Sequence, residues 1–582
     1  LALIEQAADL VHLVIGCSTD GPLNTPRTVG YSALCDTFGG GPAVKAAAYV
    51  AARNEANVIF VRIPATARAA SFETRLGEWT GGTGITPTGT PTTGCLLKIK
   101  VIVAGTVGTT GASYQVSTDG GLTYGATTTL LTNLTIVANG VTVTFTTGQA
   151  FEGTLAILCL PASATVYGTT VTKDGSSGKM AFSGTPIDQY EIRAEIIKGG
   201  TTGTEGITLR YTLDGGRRWT EALRLGTANT FVLVDYTKPN GTEVSSGVTL
   251  TLQATSTYKA GDNIVARTTP PEPQPSDVVA ALDAIEADDA FAGKFSFVHA
   301  VGHLGRRADV IALQARATSL VAEDTFTGIL TAGRDRAPGE PMTEYAAAEA
   351  TVAETNSADR VFVSGGYARI TDPCGGWSMR RPVAFRVAER LVARPIPEAL
   401  HDWSLGDVDD LDIRDENGTI VEYDGRKSSV LHDARYIVLT TRKRRKGLYF
   451  AGSPTMAPPG NDFKIIPYRR IFDIACGVLQ VVGEDLLGLG IATNKTTGLL
   501  DEAAAQSFDL ILTEAVNEAI SVGGSGVARG AVLVQCKVSR TAPIIGPNGK
   551  LVAECRIIPI SYIGGFEATI SLVRKLATPA AA

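Results

Sequence analysis

The strongest constraint in this sequence is an interruption. Between residues 96 and 270 helix-forming sequence gives way to a Gly/Thr-rich β pattern, and that pattern occurs twice. Ser117-Thr118-Asp119-Gly120-Gly121-Leu122-Thr123-Tyr124 returns later as Thr212-Leu213-Asp214-Gly215-Gly216-Arg217-Arg218-Trp219. Each octet is followed by an alternating strand, first Asn139-Gly140-Val141-Thr142-Val143-Thr144-Phe145 and then Ser246-Gly247-Val248-Thr249-Leu250-Thr251-Leu252. A repeat that carries both its turn and its strand is a copied module and not a chance turn. The expected architecture is a globular body with two β units inserted in it, and function is expected mainly in the interrupted body.

The octets fit the S/T-x-D-x-G-x-x-aromatic pattern of the Asp boxes in sialidase propellers. The chemistry of the pattern is that of a turn: the Asp side chain caps the hairpin backbone, the second Gly supplies a positive φ, and the aromatic ring packs beneath. Asp119, Gly121, Asp214 and Gly216 are therefore expected as structural turn residues. A sialidase also needs one box per blade, an arginine cluster and an activated tyrosine, so glycan cleavage is not expected; carbohydrate binding by the inserts stays open.

At 582 residues the chain exceeds what one core usually organises, which points to several domains. The proposed division is 1–95 as the first part of an α/β core, 96–183 and 184–270 as the two β modules, 276–467 as the rest of that core, and 468–582 as a terminal domain. The fold class expected is α/β, or α+β, with two sandwich-like all-β insertions. A formal net charge of -6 lacks the basic footprint that supplies most nucleic-acid affinity, so nucleic acid is not an expected partner. No run of 18 apolar residues occurs and Leu1–Leu10 has no basic stretch, so neither membrane insertion nor a secretion signal is expected. The eight cysteines include no CxxC pair, which leaves buried reduced thiols, or disulfides between chains formed in an oxidising medium.

Along the chain, Leu10–Ile15 reads as a strand, Gly41-Pro42 opens a helix through Asn54, and Asn57–Ile63 reads as a buried strand stopped by Pro64. Thr80–Gly94 is a Gly/Thr/Pro linker without periodicity, and Thr268–Pro275 is a stiff proline-rich exit from the inserts. Strands then interleave with helices from Ser276 onward, the pattern of a sheet covered by helices.

Several motifs invite chemistry and lose it on inspection. His299 and His303 have zinc-compatible spacing only on a helix, whereas the local pattern is strand into Gly turn. Asp407–Asp412 places Leu411 where a calcium loop needs a ligand, so a solvated or interface surface is expected. Gly546-Pro547-Asn548-Gly549-Lys550 lacks the spacing of a phosphate loop and reads as a hairpin turn. No catalytic triad or dinucleotide fingerprint is present, and no cofactor, metal or enzymatic activity is expected. Arg442, Lys443, Arg444, Arg445 and Lys446 form the one concentrated charge block, either a solvated turn or a contact with an acidic patch on another protein.

The end of the chain carries a different signal. After Gly564 and Gly565, the segment Phe566-Glu567-Ala568-Thr569-Ile570-Ser571-Leu572-Val573-Arg574 alternates apolar and polar residues, the mark of a strand with one buried face. The Gly-Gly hinge lets that strand swing away and complete a neighbour's sheet, with Phe566, Ala568, Ile570 and Leu572 setting register. The alternative is a last strand in the chain's own sheet.

Phe38-Gly39-Gly40-Gly41-Pro42-Ala43 leads into a small-residue helix and then Val58–Ile63. Tyr367-Ala368-Arg369-Ile370-Thr371-Asp372-Pro373 precedes Gly375-Gly376-Trp377 and Arg380-Arg381-Pro382, and Tyr468-Arg469-Arg470-Ile471-Phe472-Asp473-Ile474 follows a Gly/Pro-rich loop. The order of these segments resembles the tail sheath proteins of contractile bacteriophages and related injection systems, and the likeness covers about 10–80 and 276–577. It implies an α/β body, variable modules on the outer surface, and terminal strands exchanged between subunits. It also implies a helical homopolymer around an inner tail tube, partners at baseplate and tail terminator, and contraction that drives the tube through the host envelope. The place implied is the virion, after assembly in the host cytoplasm. An N-terminal exchange strand is expected within residues 1–9 or is missing. The second reading is a β-rich glycan- or receptor-binding surface protein.

Overall fold

A computed structural model describes residues 11–560 apart from 55–56, 67, 110, 131–134, 174, 205, 355, 394–397, 403–405, 416–417, 487–489, 494–496, 498, 522–530 and 542–549. The class is mixed α/β. Its centre is a six-stranded sheet of β1 (Val11–Cys17), β2 (Arg27–Val29), β3 (Val58–Ile63), β4 (Phe295–Ala300), β5 (Gly328–Ala332) and β6 (Val361–Ser364), in the order β2-β3-β1-β4-β5-β6. All neighbours are parallel except the β2–β3 pair at one edge.

Alternation along these strands divides the core in two. Val14, Phe60, Phe297, Leu330 and Phe362 share one cluster with helices α1 (Tyr31–Phe38) and α2 (Pro42–Asn54). Leu13, Ile15, Ile59, Val298, Ile329 and Val361 share the other with α3 (Pro275–Glu286), α4 (Arg307–Ala322) and α5 (Met342–Glu354). A sheet buried on both faces needs near-continuous apolar strands, and Val58–Ile63 and Gly328–Ala332 supply them. Helix α6 (Ala384–Ala393) packs on the α1/α2 side, completing that layer. The chain runs from β1 outward to β3, then returns to build β4, β5 and β6 on the other side, so the topology switches between β1 and β4.

The interruption lies between β3 and β4. Two segments there share one strand order. In the first, a five-stranded sheet contains Ser71–Trp79, Gly153–Leu160, Cys95–Val103, Ala112–Ser117 and Thr128–Leu130, beside a three-stranded sheet of Ile85–Gly89, Val141–Phe145 and Thr135–Ala138. In the second, Val166–Thr172, Asn263–Thr268, Glu191–Lys198, Thr208–Thr212 and Leu223–Arg224 occupy the same places, beside Met180–Gly184, Glu243–Leu252 and Thr230–Thr237. The first has its own apolar cluster, and that of the second also takes in Trp377 and Met379 from beyond it. The first sheet reaches back to Ser71, ahead of residue 96, and Ile85–Gly89 within the linker-like stretch pairs with Val141–Phe145. Backbone pairing needs no apolar periodicity, so the Gly/Thr/Pro-rich stretch hid Ile85–Gly89, while Ser71–Trp79 lay ahead of the boundary drawn for the first module.

After β6 come a small sheet of Tyr367–Thr371, Ser378–Pro382 and Leu411–Asp412, a short helix α7 (Val430–Asp433), and the hairpin Leu439–Thr441 with Leu448–Phe450. The last layer holds helices α8 (Ile466–Asp485) and α9 (Glu502–Ser521) under the strand pair Ala531–Val538 and Ala553–Pro559. A buried ion group joins α8 to the start of β6: Arg360 Nη2 and Arg469 Nη2 lie 2.9 and 2.7 Å from Asp473 Oδ1.

Candidate functional site

Helix α2 reads Pro-Ala-Val-Lys-Ala-Ala-Ala-Tyr-Val-Ala, and every one of those positions is buried, the lysine included. Small residues let the helix lie close to the sheet, and Lys45 then has no route to water. Its Nζ sits 2.6 Å from Asp235 Oδ2, 3.0 Å from Asp188 Oδ2 and 3.2 Å from Asp372 Oδ2. Arg381 forks onto Asp188 with two bonds of 2.6 Å. Lys45 meets Asp235 and Asp372 as charges, those oxygens lacking an aligned hydrogen bond.

The group holds three carboxylates against two cations in a dry site, and its electrostatics follow. Burial works against the charge on Lys45, but the three carboxylates outweigh it and raise its affinity for the proton. Burial also works against Asp188, yet Arg381 and Lys45 hold that carboxyl below the usual range. Asp235 takes the remaining strain: burial first, with Asp372 and Asp188 adding to it against Lys45, pushes it up to about 6.

Asp188 and Asp235 belong to the second insert, Lys45, Asp372 and Arg381 to the body. Other contacts cross the same boundary. Trp377 Nε1 donates to the Asp235 carbonyl at 2.6 Å, Tyr236 Oη donates to the Gly39 carbonyl at 2.8 Å, and Tyr236 and Val244 join the apolar cluster under α1 and α2. The second insert is thus packed into the body and ion-paired with it.

The octets take part in the docking. In the first, Asp119 accepts from the Thr123 amide at 2.9 and 3.0 Å, and Ser117 Oγ accepts from the Gly121 amide at 2.8 Å. The hydrogen bonds from Thr123 pull the Asp119 carboxyl far below its ordinary range. In the second, Asp214 Oδ1 accepts from the Arg217 and Arg218 amides, both at 3.0 Å. Both glycines of each octet, Gly120 and Gly121, Gly215 and Gly216, have positive φ, where the repeat pattern assigns that role only to the second. Each turn faces the body. A Cβ on Gly120 would lie 1.8 Å from the Gly339 carbonyl oxygen, so two backbones touch there. Lys98 Nζ to Glu344 and Arg75 Nη1 to Glu340, each 2.7 Å, flank that contact. In the second insert Asp214 Oδ2 accepts from the Ser378 amide at 3.2 Å, while Arg218 donates to the Gly375 carbonyl at 2.5 Å and lies over the Trp377 ring.

At the β1/β4 switch, where a doubly wound sheet leaves its crevice, the proline-rich exit from the inserts fills the space. A cavity of about 30 Å³ remains among Pro42, Pro271, Glu272, His299, His303 and Arg381, the scale of a single water. His303 bridges Glu272 and Tyr367; burial works against its charge, but Glu272 outweighs it and raises its pKa. His299 points into the core beside Phe385 and burial lowers its pKa to about 3. Both line that small cavity, but His303 is paired with Glu272 and His299 is packed on an aromatic ring. A larger polar cavity of about 360 Å³ lies between the second insert and the body, and its lining balances five arginines against five carboxylates, Arg369 and Arg380 with Glu191 and Asp335 among them.

The acidic run serves ion pairs: Asp409 and Asp410 hold Arg53, and Asp409 also meets Arg386. Among the described residues no group of three or more His, Cys, Asp or Glu side chains gathers as metal ligands, and no helix is long and apolar enough to cross a membrane. Arg442–Lys446 forms the turn between Leu439–Thr441 and Leu448–Phe450, with Lys443, Arg444, Arg445 and Lys446 exposed and Arg442 half-buried. The arm residues Gly564, Gly565, Phe566, Ala568, Ile570 and Leu572, and the turn at 546–549, lie outside the described residues.

The strand pair that precedes the arm is described. Val534, Cys536 and Val538 face α8 and α9, and Leu533 pairs with Ile558 on the outer face, where they are 48% and 53% exposed. Among the described residues neither strand has a second partner.

Sequence reasoning gave no role to Lys45, Asp188 or Asp235, and touched Asp372 and Arg381 only within the segments that carry the resemblance. One signal was available: a single lysine in the middle of a helix otherwise made of Ala, Val and Tyr has no polar face to sit on.

The family described as DUF2586, N-terminal domain, matches residues 5–453. No curated protein matches the chain. Among solved structures, a sheath tail protein from Desulfitobacterium hafniense is 9% identical over 95% of this chain and 97% of its own, with a TM-score of 0.37. A chain of the anti-feeding prophage baseplate is 12% identical over 53% of this chain and 76% of its own, with a TM-score of 0.32. A chain of the PVC sheath complex of an extracellular contractile injection system, in its contracted state, is 8% identical over 52% and 75%, with a TM-score of 0.34.

Proposed function

The chain belongs to the DUF2586 family, and from that premise we propose that it is a non-enzymatic structural subunit of a contractile tail sheath. The observation that carries this reading is the strand pair Ala531–Val538 and Ala553–Pro559, which has open edges among the described residues and is followed in sequence by a Gly-Gly hinge and an alternating strand. An open edge presents a row of backbone donors and acceptors, and an alternating strand from a neighbour satisfies them while its apolar side chains choose register. Head-to-tail donation of this kind does not close on itself and generates a helical filament. The subunits then polymerise around an inner tail tube, and the rigid bodies rearrange between two packed states with the arms as tethers.

In this reading the two inserts are copies of one module, set on the outside of the lattice and fixed to the body by the Lys45 group and the two octet turns. The exposed residues of the Arg442–Lys446 turn contact the tube or a neighbouring subunit, where charge sets encounter and register. Baseplate and tail terminator proteins cap the ends, and the particle assembles in the host cytoplasm without a cofactor. Electron microscopy of the purified protein tests the proposal: hollow, striated cylinders are expected. A protein that stays monomeric at high concentration, with its last strand docked on its own sheet, overturns it.

A further inference from the structure

The turn Pro373–Gly376 meets helix α1 beside the buried ion group. Cys35 on α1 and Cys374 on the turn are separated by 339 residues in sequence, and their Sγ atoms lie 2.7 Å apart. A sulfur–sulfur bond needs about 2.05 Å, so the pair is placed for bonding with little backbone movement. Both partners are held. Tyr31 Oη donates to the Pro373 carbonyl at 2.8 Å, and the Cys374 amide donates to Asp372 Oδ1 at 3.0 Å. Cys35 is buried and Cys374 half-buried, so Cys374 is the more accessible sulfur of the two. The hydrogen bond from Cys374 lowers the Cys35 thiol pKa and raises that of Cys374, which gives one sulfur thiolate character beside a protonated partner.

We propose that Cys35 and Cys374 are a covalent cross-linking site, closed by exchange with a small-molecule disulfide. Cys35, the thiolate of the pair, takes the Cys374 proton along their hydrogen bond, and the half-buried Cys374 sulfur then attacks one sulfur of the small disulfide, forming a mixed disulfide and releasing a thiolate that is protonated from water. Cys35 then gives up that proton and attacks the Cys374 sulfur, releasing the second thiol. Counted from the neutral pair, two protein S–H bonds are lost, one S–S bond forms, and the small disulfide is reduced to two thiols. The link ties α1 to the turn whose Gly375 carbonyl receives Arg218 of the second insert, so closure fixes, within the body, the platform on which that insert is docked.

The test uses the full chain incubated with oxidised glutathione, then acid-quenched, alkylated under denaturing conditions, digested and read by mass spectrometry. The peptides of Cys35 and Cys374 are expected as one linked species two hydrogens lighter than their sum, split by dithiothreitol, while Cys17 remains alkylated. The thermal midpoint is expected to rise by a few degrees on oxidation, and that rise to vanish in Cys374→Ser. Full recovery of both alkylated peptides, glutathione retained on Cys374 without transfer to Cys35, or an equal thermal shift in Cys374→Ser would each overturn the proposal.

Discussion

Lys45 on α2 and Asp235 in the second insert meet 2.6 Å apart with both side chains shut off from water, so the joint between body and insert is an ion contact in a dry site. Such a contact adds little net stability when intact, because desolvating the charges offsets their attraction. Breaking it leaves a buried charge without compensation.

Lys45→Met is therefore expected to lower unfolding stability by ~3–5 kcal/mol, the scale for removing one partner of a buried ion pair. Asp188 keeps Arg381, while Asp235 and Asp372 lose their cation. Urea titration followed by circular dichroism measures the loss, and a change below 1 kcal/mol would mean that the group is not holding the joint. Excision of residues 95–269 removes two of the three carboxylates and exposes the α1/α2 surface under Tyr236, so an aggregating product is expected from that deletion.

The pH dependence of the same site has a definite sign. Asp235 has its folded pKa raised to about 6, so its contribution is fully present below the unfolded value near 3.9 and is lost as pH rises through 6. The gap between those two values makes this carboxyl harder to ionise in the folded protein by ~3 kcal/mol, a cost borne in full at neutral pH. Asp235→Asn resembles the protonated form. It is expected to be more stable than the wild type at pH 8 by up to ~3 kcal/mol and equal to it at pH 4. Paired denaturation curves at the two pH values check this, and a pH-independent difference would refute it.

The central sheet makes an opposite prediction on the acid side. His12 stacks on Phe297 and His299 meets the Phe385 ring edge-on; both nitrogens of His12 and Nδ1 of His299 are buried without a partner, and burial keeps both rings neutral, His299 down to about pH 3. The unfolded chain binds those protons below pH ~6.5, so each histidine lowers stability by ~1.4 kcal/mol for every pH unit below that value. His299→Leu is expected to remove ~1.4 kcal/mol per pH unit from the wild-type slope between pH 6 and 4. Thermal midpoints across that range read the slope directly.

What could be read in advance divides along physical lines. β1, α2, β3 and the helix-strand rhythm after residue 275 were legible because apolar runs and periodic helices report burial directly. The octets were legible as turns because Asp and Gly at fixed offsets have one backbone use. Their docking was not, since the partners Gly339, Gly375 and Ser378 lie far along the chain and only the fold brings them close. Asp188 and Asp235 look like surface residues of β strands until Lys45 is known to be buried against them. Resemblance pointed to Arg369, Asp372 and Arg381 without a reason; the two arginines receive Glu191 and Asp188 of the second insert, and Asp372 holds the Lys45 that meets the same insert.

Docking of the first insert rests on a contact between two glycines. Gly120 has φ of +76° and no room for a Cβ against the Gly339 carbonyl oxygen. Gly120→Val is expected to release this turn from the body, at ~1–3 kcal/mol for the backbone conformation alone. The insert keeps its own apolar cluster and stays folded. Hydrogen exchange should accelerate at 338–344 and around 117–124 while the strand pair Cys95–Val103 and Gly153–Leu160 remains protected. Unchanged exchange at 338–344 would show that Lys98–Glu344 and Arg75–Glu340 suffice to hold the insert.

The terminal arm yields a prediction with a face to it. If Phe566, Ala568, Ile570 and Leu572 are the buried side of an exchanged strand, charge on that side removes assembly and charge on the other side does not. Phe566→Asp and Ile570→Asp are expected to give folded monomers that form no long cylinders, whereas Glu567→Lys and Ser571→Lys assemble as the wild type does. The comparison separates exchange from simple stickiness of the tail, because a non-specific apolar contact has no register and responds to total hydrophobicity. Deleting 566–582 should reproduce the Phe566→Asp result with unfolding stability within ~0.5 kcal/mol of the full chain, since a donated strand stabilises its acceptor and not its owner. Sedimentation velocity gives the oligomer distribution and negative-stain microscopy the cylinder lengths. Sheath-length cylinders from the deletion, or equal losses from both faces, would remove the arm from the assembly mechanism.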